Sequence, residues 1–316
     1  MRLARLALLV VVGCGTDITA DQACTTLAQD ECTELMTCSA ADMQRRWPDI
    51  ATCESRRKLA CTQALAAPEN ANSPSHEEAC AAAIAKDTCD AYLSGVEPPM
   101  ECLPPNGTAA NGAACSYAGQ CASSFCAVAP GSLCGTCANE PAAGDSCATQ
   151  GCGPTLNCVG STMICQIPVA SGGQCSKDLP CTEGQSCVGA TMTAMGTCMP
   201  QGTTVGASCD ARQMTGPNCS PAAGLTCGTT TNQCAIQPLV AAGQPCGVTN
   251  GLFVGCLAGA SCKRATGSAT GTCVAPAADG AACDSTNGPS CTTPAKCVIS
   301  GTGTAGTCQL LGSQAC

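Results

Sequence analysis

Apolar and polar positions divide the chain into three stretches. Leu6 to Val12 is one unbroken apolar run behind Arg2 and Arg5, and Gly15, Thr16 and Asp17 end it. Thr25 to Thr37, Ile50 to Leu65 and His76 to Leu93 lack internal Gly and Pro and mix Ala and Leu with Glu and Lys, the composition of amphipathic helices. Ser73-Pro74 offers a cap with proline at the first helical position, Ser75 with Glu78 a capping box, and Gly95 with Pro98 a stop. Beyond residue 102 the long periodicity disappears. Short runs of Cys, Val and Ala alternate with Gly, Ser and Thr, a pattern of small hairpins joined by turns.

Cysteine organises both parts. Cys24, Cys32, Cys38, Cys53, Cys61, Cys80, Cys89 and Cys102 fall in the helical stretch, predicting a three-helix domain over 20–102 held by as many as four bridges. From 103 to 316 the chain repeats. Six units open with a glycine three residues before a cysteine, at Cys115, Cys147, Cys175, Cys209, Cys246 and Cys283, spaced 28 to 37 residues apart. Their bounds are about 110–140, 141–168, 169–201, 202–238, 239–276 and 277–316, and units two to six hold four cysteines each.

Four cysteines allow three pairings. The expected one joins first to third and second to fourth: Cys147-Cys158, Cys152-Cys165, Cys175-Cys187, Cys181-Cys198, Cys209-Cys227, Cys219-Cys234, Cys246-Cys262, Cys256-Cys273, Cys283-Cys297 and Cys291-Cys308. Gly-Thr-Cys recurs at Cys198, Cys273 and Cys308, each with ten residues between it and the preceding cysteine. The first unit has five cysteines (Cys115, Cys121, Cys126, Cys134, Cys137) and Cys316 stands outside the pattern. These odd members imply either a bridge between modules, involving Cys102 or Cys316, or one thiol left for a partner chain. The expected fold is therefore small and disulfide-rich: a stapled three-helix domain followed by a linear array of cysteine-rich β-hairpin modules.

Composition explains the staples. Two Phe, two Tyr and one Trp in 316 residues supply little bulk for a core, so covalent closure must carry much of the stability. Net charge is −9, and the chain lacks the basic runs that nucleic-acid binding needs. Acidic residues concentrate in the helical half.

Arg2 and Arg5, the apolar run and Gly13-Cys14 read as a signal peptide over 1–13, too short to span a bilayer. Val11-Val12-Gly13-Cys14 resembles a bacterial lipobox, which implies cleavage before Cys14, its lipidation, a short linker over 14–19 and, with Gly15 following, outer-membrane sorting. Of 35 cysteines, a lipidated Cys14 leaves an even number for disulfides. The stretch from Cys24 to Cys102, followed by Gln120-Cys121, Ser124-Phe125-Cys126 and Cys134-Gly-Thr-Cys137, resembles a group of cysteine-rich lipoproteins from myxobacteria over nearly the whole chain. The units are similar to the N-terminal cysteine-rich module of the Dickkopf proteins, which are extracellular ligands and not enzymes.

Catalytic motifs are scarce. His76 is the single histidine and reads as a solvated residue in the first turn of the third helix. Cys134-Gly-Thr-Cys137 has the spacing of redox and zinc pairs, yet a structural disulfide is favoured because a second close pair and a βαβ setting are missing. Asp145, Asp178, Asp210, Asp279 and Asp284 are isolated carboxylates suited to turns and caps rather than calcium loops. The sequence thus predicts no catalytic residue, metal or cofactor. It predicts a non-enzymatic lipoprotein of the bacterial envelope, held to the membrane by its lipid and binding an unknown protein or surface ligand through its repeats. The alternatives are a stalk or coat component, or a protease-inhibitor-like module using the loops Gly189 to Met195 and Lys263 to Ala269.

Overall fold

The computed structural model describes residues 18–94, 98–129, 131–148, 150–153, 155–299, 301, 303–311 and 316. Cys14 and the leader over 1–13 lie outside these residues. Seventeen disulfides join the remaining thirty-four cysteines.

The helical region has five α-helices: α1 Ala20–Cys38, α2 Ala40–Arg46, α3 Ile50–Leu65, α4 Pro74–Ile84 and α5 Cys89–Ser94. This corrects the three expected. Thr19 caps α1 in a capping box with Gln22, Asp49 caps α3, and Ser73 rather than Ser75 caps α4, accepting from the His76 N–H at 3.2 Å. α2 exists because Ser39 ends α1 and caps a new turn, accepting from Asp42 N–H at 3.1 Å. The expected third helix stops at Ile84: Lys86 and Asp87 close a tight turn on the Ala83 and Ile84 carbonyls, and Thr88 restarts α5. Cys89 is tied there to Cys38. α1 is stapled to α3 by Cys24–Cys61 and Cys32–Cys53, and Cys80–Cys102 holds the far end of the domain. Two small apolar clusters result, one around Leu27, Ala81 and Ile84, the other around Leu35, Met43 and Trp47, and Tyr92 packs against both.

The repeats are hairpins built one way. The first unit forms a sheet from β1 Ala114–Cys115, β2 Cys126–Val128 and β3 Gly135–Cys137, in the order β1-β3-β2. The second pairs β4 Asn157–Val159 with β5 Ile164–Gln166; the third has β6 Gln174–Cys175, β7 Gln185–Val188 and β8 Gly196–Pro200, ordered β6-β8-β7. The fourth pairs β9 Leu225–Cys227 with β10 Cys234–Ile236. The fifth is widest, with β11 Leu239–Val240, β12 Pro245–Thr249, β13 Leu252–Cys256, β14 Ser261–Lys263 and β15 Thr270–Val274 in the order β11-β13-β12-β15-β14. The sixth orders β16 Ala282–Asp284, β17 Lys296–Ile299 and β18 Ala305–Gln309 as β16-β18-β17.

In every unit the third and fourth cysteines of the four-cysteine set stand opposite one another in the ladder, as Cys262 and Cys273 do. They are not bonded to each other. The third reaches back to the first and the fourth to the second, including all ten pairs named above and, in the first unit, Cys115–Cys126 and Cys121–Cys137. In the three-stranded units the first-to-third bridge joins the two outer strands. Those would lie about 9.5 Å apart in a flat sheet, yet the bridged Cα atoms are 5.8 to 6.0 Å apart, so the sheet curls sharply over the central strand. Glycine on that central strand permits the curl. A Cβ on Gly135, Gly196 or Gly306 would collide with the Ala127, Val188 or Val298 carbonyl, and Gly271, on β15 between β12 and β14 of the fifth unit, stands in the same relation to Lys263.

The unit-opening glycine has a different task. Gly112, Gly144, Gly172, Gly206, Gly243 and Gly280 all have φ between 79° and 95°, and each donates its N–H to the carbonyl of its unit's fourth cysteine at 2.7 to 2.8 Å. The fourth cysteine's N–H returns to the residue after the glycine at 2.8 to 2.9 Å. This pair of hydrogen bonds clamps the start of each unit to its last strand.

The array is not linear, contrary to expectation: it curls round the helical domain and meets itself. Ala71 N–H donates to Gly119 O at 2.8 Å in the first unit, and Arg45 Nη1 donates to Gln237 Oε1 at 2.8 Å in the fourth. Ala258 and Gly259 N–H of the fifth donate to Gln44 and Arg45 carbonyls at 2.8 and 2.6 Å, and Arg56 grips the sixth through Asp279 and the Thr292 and Thr293 carbonyls. The last unit then touches the first, where Ile299 N–H donates to Gly131 O at 3.3 Å and Cys134 is bonded to Cys316 across 182 residues.

Two outcomes follow from this construction. Gly243→Ala should cost about 1–2 kcal/mol through backbone strain alone, since nothing lies within 4 Å of its added methyl; Gly271→Ala should cost more and detach β14. Equal, negligible losses in denaturant unfolding with disulfides intact would contradict both assignments. Replacing Cys134 and Cys316 together by serine should leave sixteen bridges and speed amide exchange at Ile299 while Cys137 and Cys308 amides stay protected. A loss of protection throughout would show the clasp to be more than a seam.

Candidate functional site

Docking of the array onto the helices leaves a cleft of about 420 Å³ between the helical domain and units five and six. α1 contributes Glu31 and Leu35, the end of α2 Arg45, Arg46 and Trp47, α3 Arg57, and α5 Tyr92; Gly259 and Ser290 to Thr293 form the opposite wall. The cleft holds the chain's only tryptophan and one of its two tyrosines. Its frame is rigid. Arg56, beside it, binds Asp279 in a fork at 2.7 and 2.8 Å while donating to the Thr293 and Thr292 carbonyls at 2.6 and 2.9 Å.

Arg57 Nε meets Glu31 Oε2 at 3.0 Å, and the Tyr92 hydroxyl donates to the Glu31 carbonyl at 3.0 Å. Arg45 is spent on Asp42, Gln237 and the Pro221 carbonyl. Arg46 has no acceptor for its guanidinium among the described residues. Burial raises the Glu31 carboxyl above the usual range, with the Arg57 charge opposing, and burial raises Tyr92 likewise. Behind Glu31 and Tyr92 lies a smaller hollow of about 310 Å³, floored by Leu27 and Ile84. There Glu77, 7% exposed, is raised by burial and by the nearby Glu31, against His76 and the Asn72 amide, which donates to Glu77 Oε1 at 2.9 Å.

The residues singled out in the sequence do not converge on this cleft, apart from the disulfide-bonded Cys53 and Cys291. Cys134 and Cys137 are not joined: Cys137 is bonded to Cys121 and Cys134 to Cys316. Clusters of three sulfurs within 4.8 Å occur in the units, but every sulfur named in them belongs to a disulfide. The aspartates serve turns and fastening contacts. Asp210 accepts from Arg212, Met214 and Thr215 N–H, which lowers its carboxyl to about 2; Asp284 accepts from Thr286 and Asn287; Asp145 accepts from Ala142; Asp279 holds Arg56. His76 lies in the first turn of α4. The loop from Gly189 to Met195 closes in a tight turn, Thr191 N–H to Ala194 O at 2.9 Å, with Met192 fully exposed, and the loop from Lys263 to Ala269 turns at Ser268 N–H to Ala265 O, also 2.9 Å.

Sequence reasoning passed over Arg45-Arg46 and Arg56-Arg57-Lys58. They hold five of the eleven basic residues beyond Arg5, and α2 and α3 bring Arg45, Arg46 and Arg57 to one cleft with Arg56 alongside. Their spacing across two short helices was the available signal. No family model, curated protein or solved structure matches this chain.

A raised carboxyl binds its proton more tightly in the folded chain than in the unfolded one, so ionising it opposes folding as pH rises. Glu77→Gln removes that charge and keeps an oxygen for Asn72. The variant should unfold about 2 °C or more above the parent at pH 7, with the gap closing in acid. A gap that widened in acid would contradict burial as the cause.

Proposed function

We propose that the protein is a non-enzymatic, lipid-anchored binding protein of the bacterial envelope, of the lipoprotein kind its leader resembles. Cysteine arithmetic carries the reading. Seventeen bridges occupy every cysteine but Cys14, the residue that the lipobox-like Val11-Val12-Gly13-Cys14 would present for acylation. So many disulfides suit an oxidising compartment outside the cytoplasm. Among the described residues no helix is long and apolar enough to cross a membrane, so attachment on this reading rests on lipid.

Binding is favoured over the stalk because an array folded back on its own helical domain gives little reach. It is favoured over protease inhibition because both candidate loops end in tight turns, whereas strand addition in a protease cleft needs extended backbone. What the fold offers instead is a rigid cleft at the junction of helices and repeats, the usual place for a small-molecule site.

Intact mass of protein extracted from membranes should show a chain beginning at an acylated Cys14, and Cys14→Ser should move it to the soluble fraction. An unacylated Cys14 would overturn the anchor. The immobilised full chain should retain a saturable ligand from envelope extract that an unrelated lipoprotein does not; equal retention by both would overturn binding.

A further inference from the structure

We infer that the cleft between the helices and units five and six is an oxyanion site, built to take the phosphate or carboxylate group of a small soluble molecule. This deepens the binding reading and rests on it.

The donors are in place and unspent. A guanidinium carries five N–H donors in a planar fork. Arg45 and Arg56 are engaged at every guanidinium nitrogen by Asp42, Gln237, Asp279 and backbone carbonyls and act as fasteners. Arg46 has no acceptor among the described residues, and Arg57 commits only Nε, to Glu31, leaving both Nη groups without a described acceptor. Both line the cleft beside Tyr92, whose hydroxyl also faces the charges of Glu31 and Glu34.

Glu31 on Arg57, at 3.0 Å, shows that a carboxylate fits this surface. The Arg46 charge reaches the Glu183 carboxyl of unit three without a hydrogen bond to it, so its donors stay open to an anion in a chain of net charge −9. Trp47, Tyr92 and Pro276 give the rest of a ligand an aromatic and apolar wall, and Ser290 and Thr293 offer hydroxyls opposite.

Shape decides between a soluble molecule and a lipid headgroup in a bilayer. The cleft is walled by helices on one side and by two repeats on the other, and about 420 Å³ is the size of a small-molecule pocket. A flat membrane cannot enter it while units five and six stay fastened by the Gln44 and Arg45 carbonyls and by Arg56.

Trp47, the single tryptophan, is a reporter inside the site. Its fluorescence in the full chain should change saturably with glucose 6-phosphate or benzoate, with a Kd of about 0.1–1 mM, weaken with added salt, and not respond to glucose. Arg46→Gln should weaken binding about tenfold or more, Arg46→Lys less, and Arg212→Gln, in unit four and not in the cleft lining, not at all. Since the Arg46 side chain makes no hydrogen bond or ion pair among the described residues, these variants keep their folding transitions. No saturable response to either anion, or equal affinity in Arg46→Gln, would overturn the inference. So would a response confined to phosphatidylglycerol vesicles and absent with phosphatidylcholine, which would assign the anion to a lipid surface. If the chain still retains an envelope ligand while the cleft ignores anions, the oxyanion site falls and the binding reading stands.

Discussion

Each repeat depends on two disulfides packed against each other where a core would otherwise be. The first unit buries Cys115, Cys121 and Cys137, and the other units bury cysteines in the same way. A bridge closing a loop of 11 to 18 residues is worth about 3 kcal/mol, as much as burying a leucine side chain. With two such bridges a thirty-residue hairpin needs no large apolar residue. The crossed pairing also explains the curl of the sheets, the glycine at the crossing and the clamp at each unit's opening.

Stapled modules expose most of their backbone, and backbone groups are what join them. Four of the six units are hydrogen-bonded to the helical domain, and neighbours are joined in turn: Gly189 N–H to Gln213 O at 2.7 Å, Thr229 N–H to Gly251 O at 2.8 Å, Lys263 Nζ to Thr286 O at 3.2 Å. The helical domain therefore works as a hub. Its arginines split between fastening and facing an open cleft, and the cleft exists only because the array returns to the hub.

The repeat was legible in the sequence because its physical requirements leave marks. A positive-φ glycine and four cysteines cannot be exchanged for other residues, so each unit shows them openly. The first unit is regular too: ten residues separate Cys126 from Cys137 of Gly135-Thr136-Cys137, as in its counterparts, and the extra Cys134 within that loop obscured it. The split between α4 and α5 was hidden because Thr88 and the Cys89–Cys38 bridge set it, not a glycine or proline. The return of the array was hidden for a deeper reason. Its acceptors are main-chain oxygens of Ala222, Gln44, Thr292 and Thr293, which any residue supplies. The cleft inherits that blindness, since Arg46 and Arg57 acquire their setting only when units five and six arrive.

The central claim is that crossed disulfides, not hairpin-local ones, build the units and close the array. Mapping the linkages by mass spectrometry of a non-reducing digest, with free thiols blocked first, tests it most directly. The account predicts first-to-third and second-to-fourth linkage in all six units and a peptide containing Cys134 joined to one containing Cys316. Bonds between facing partners such as Cys262 and Cys273, or a Cys134–Cys137 bridge, would contradict it.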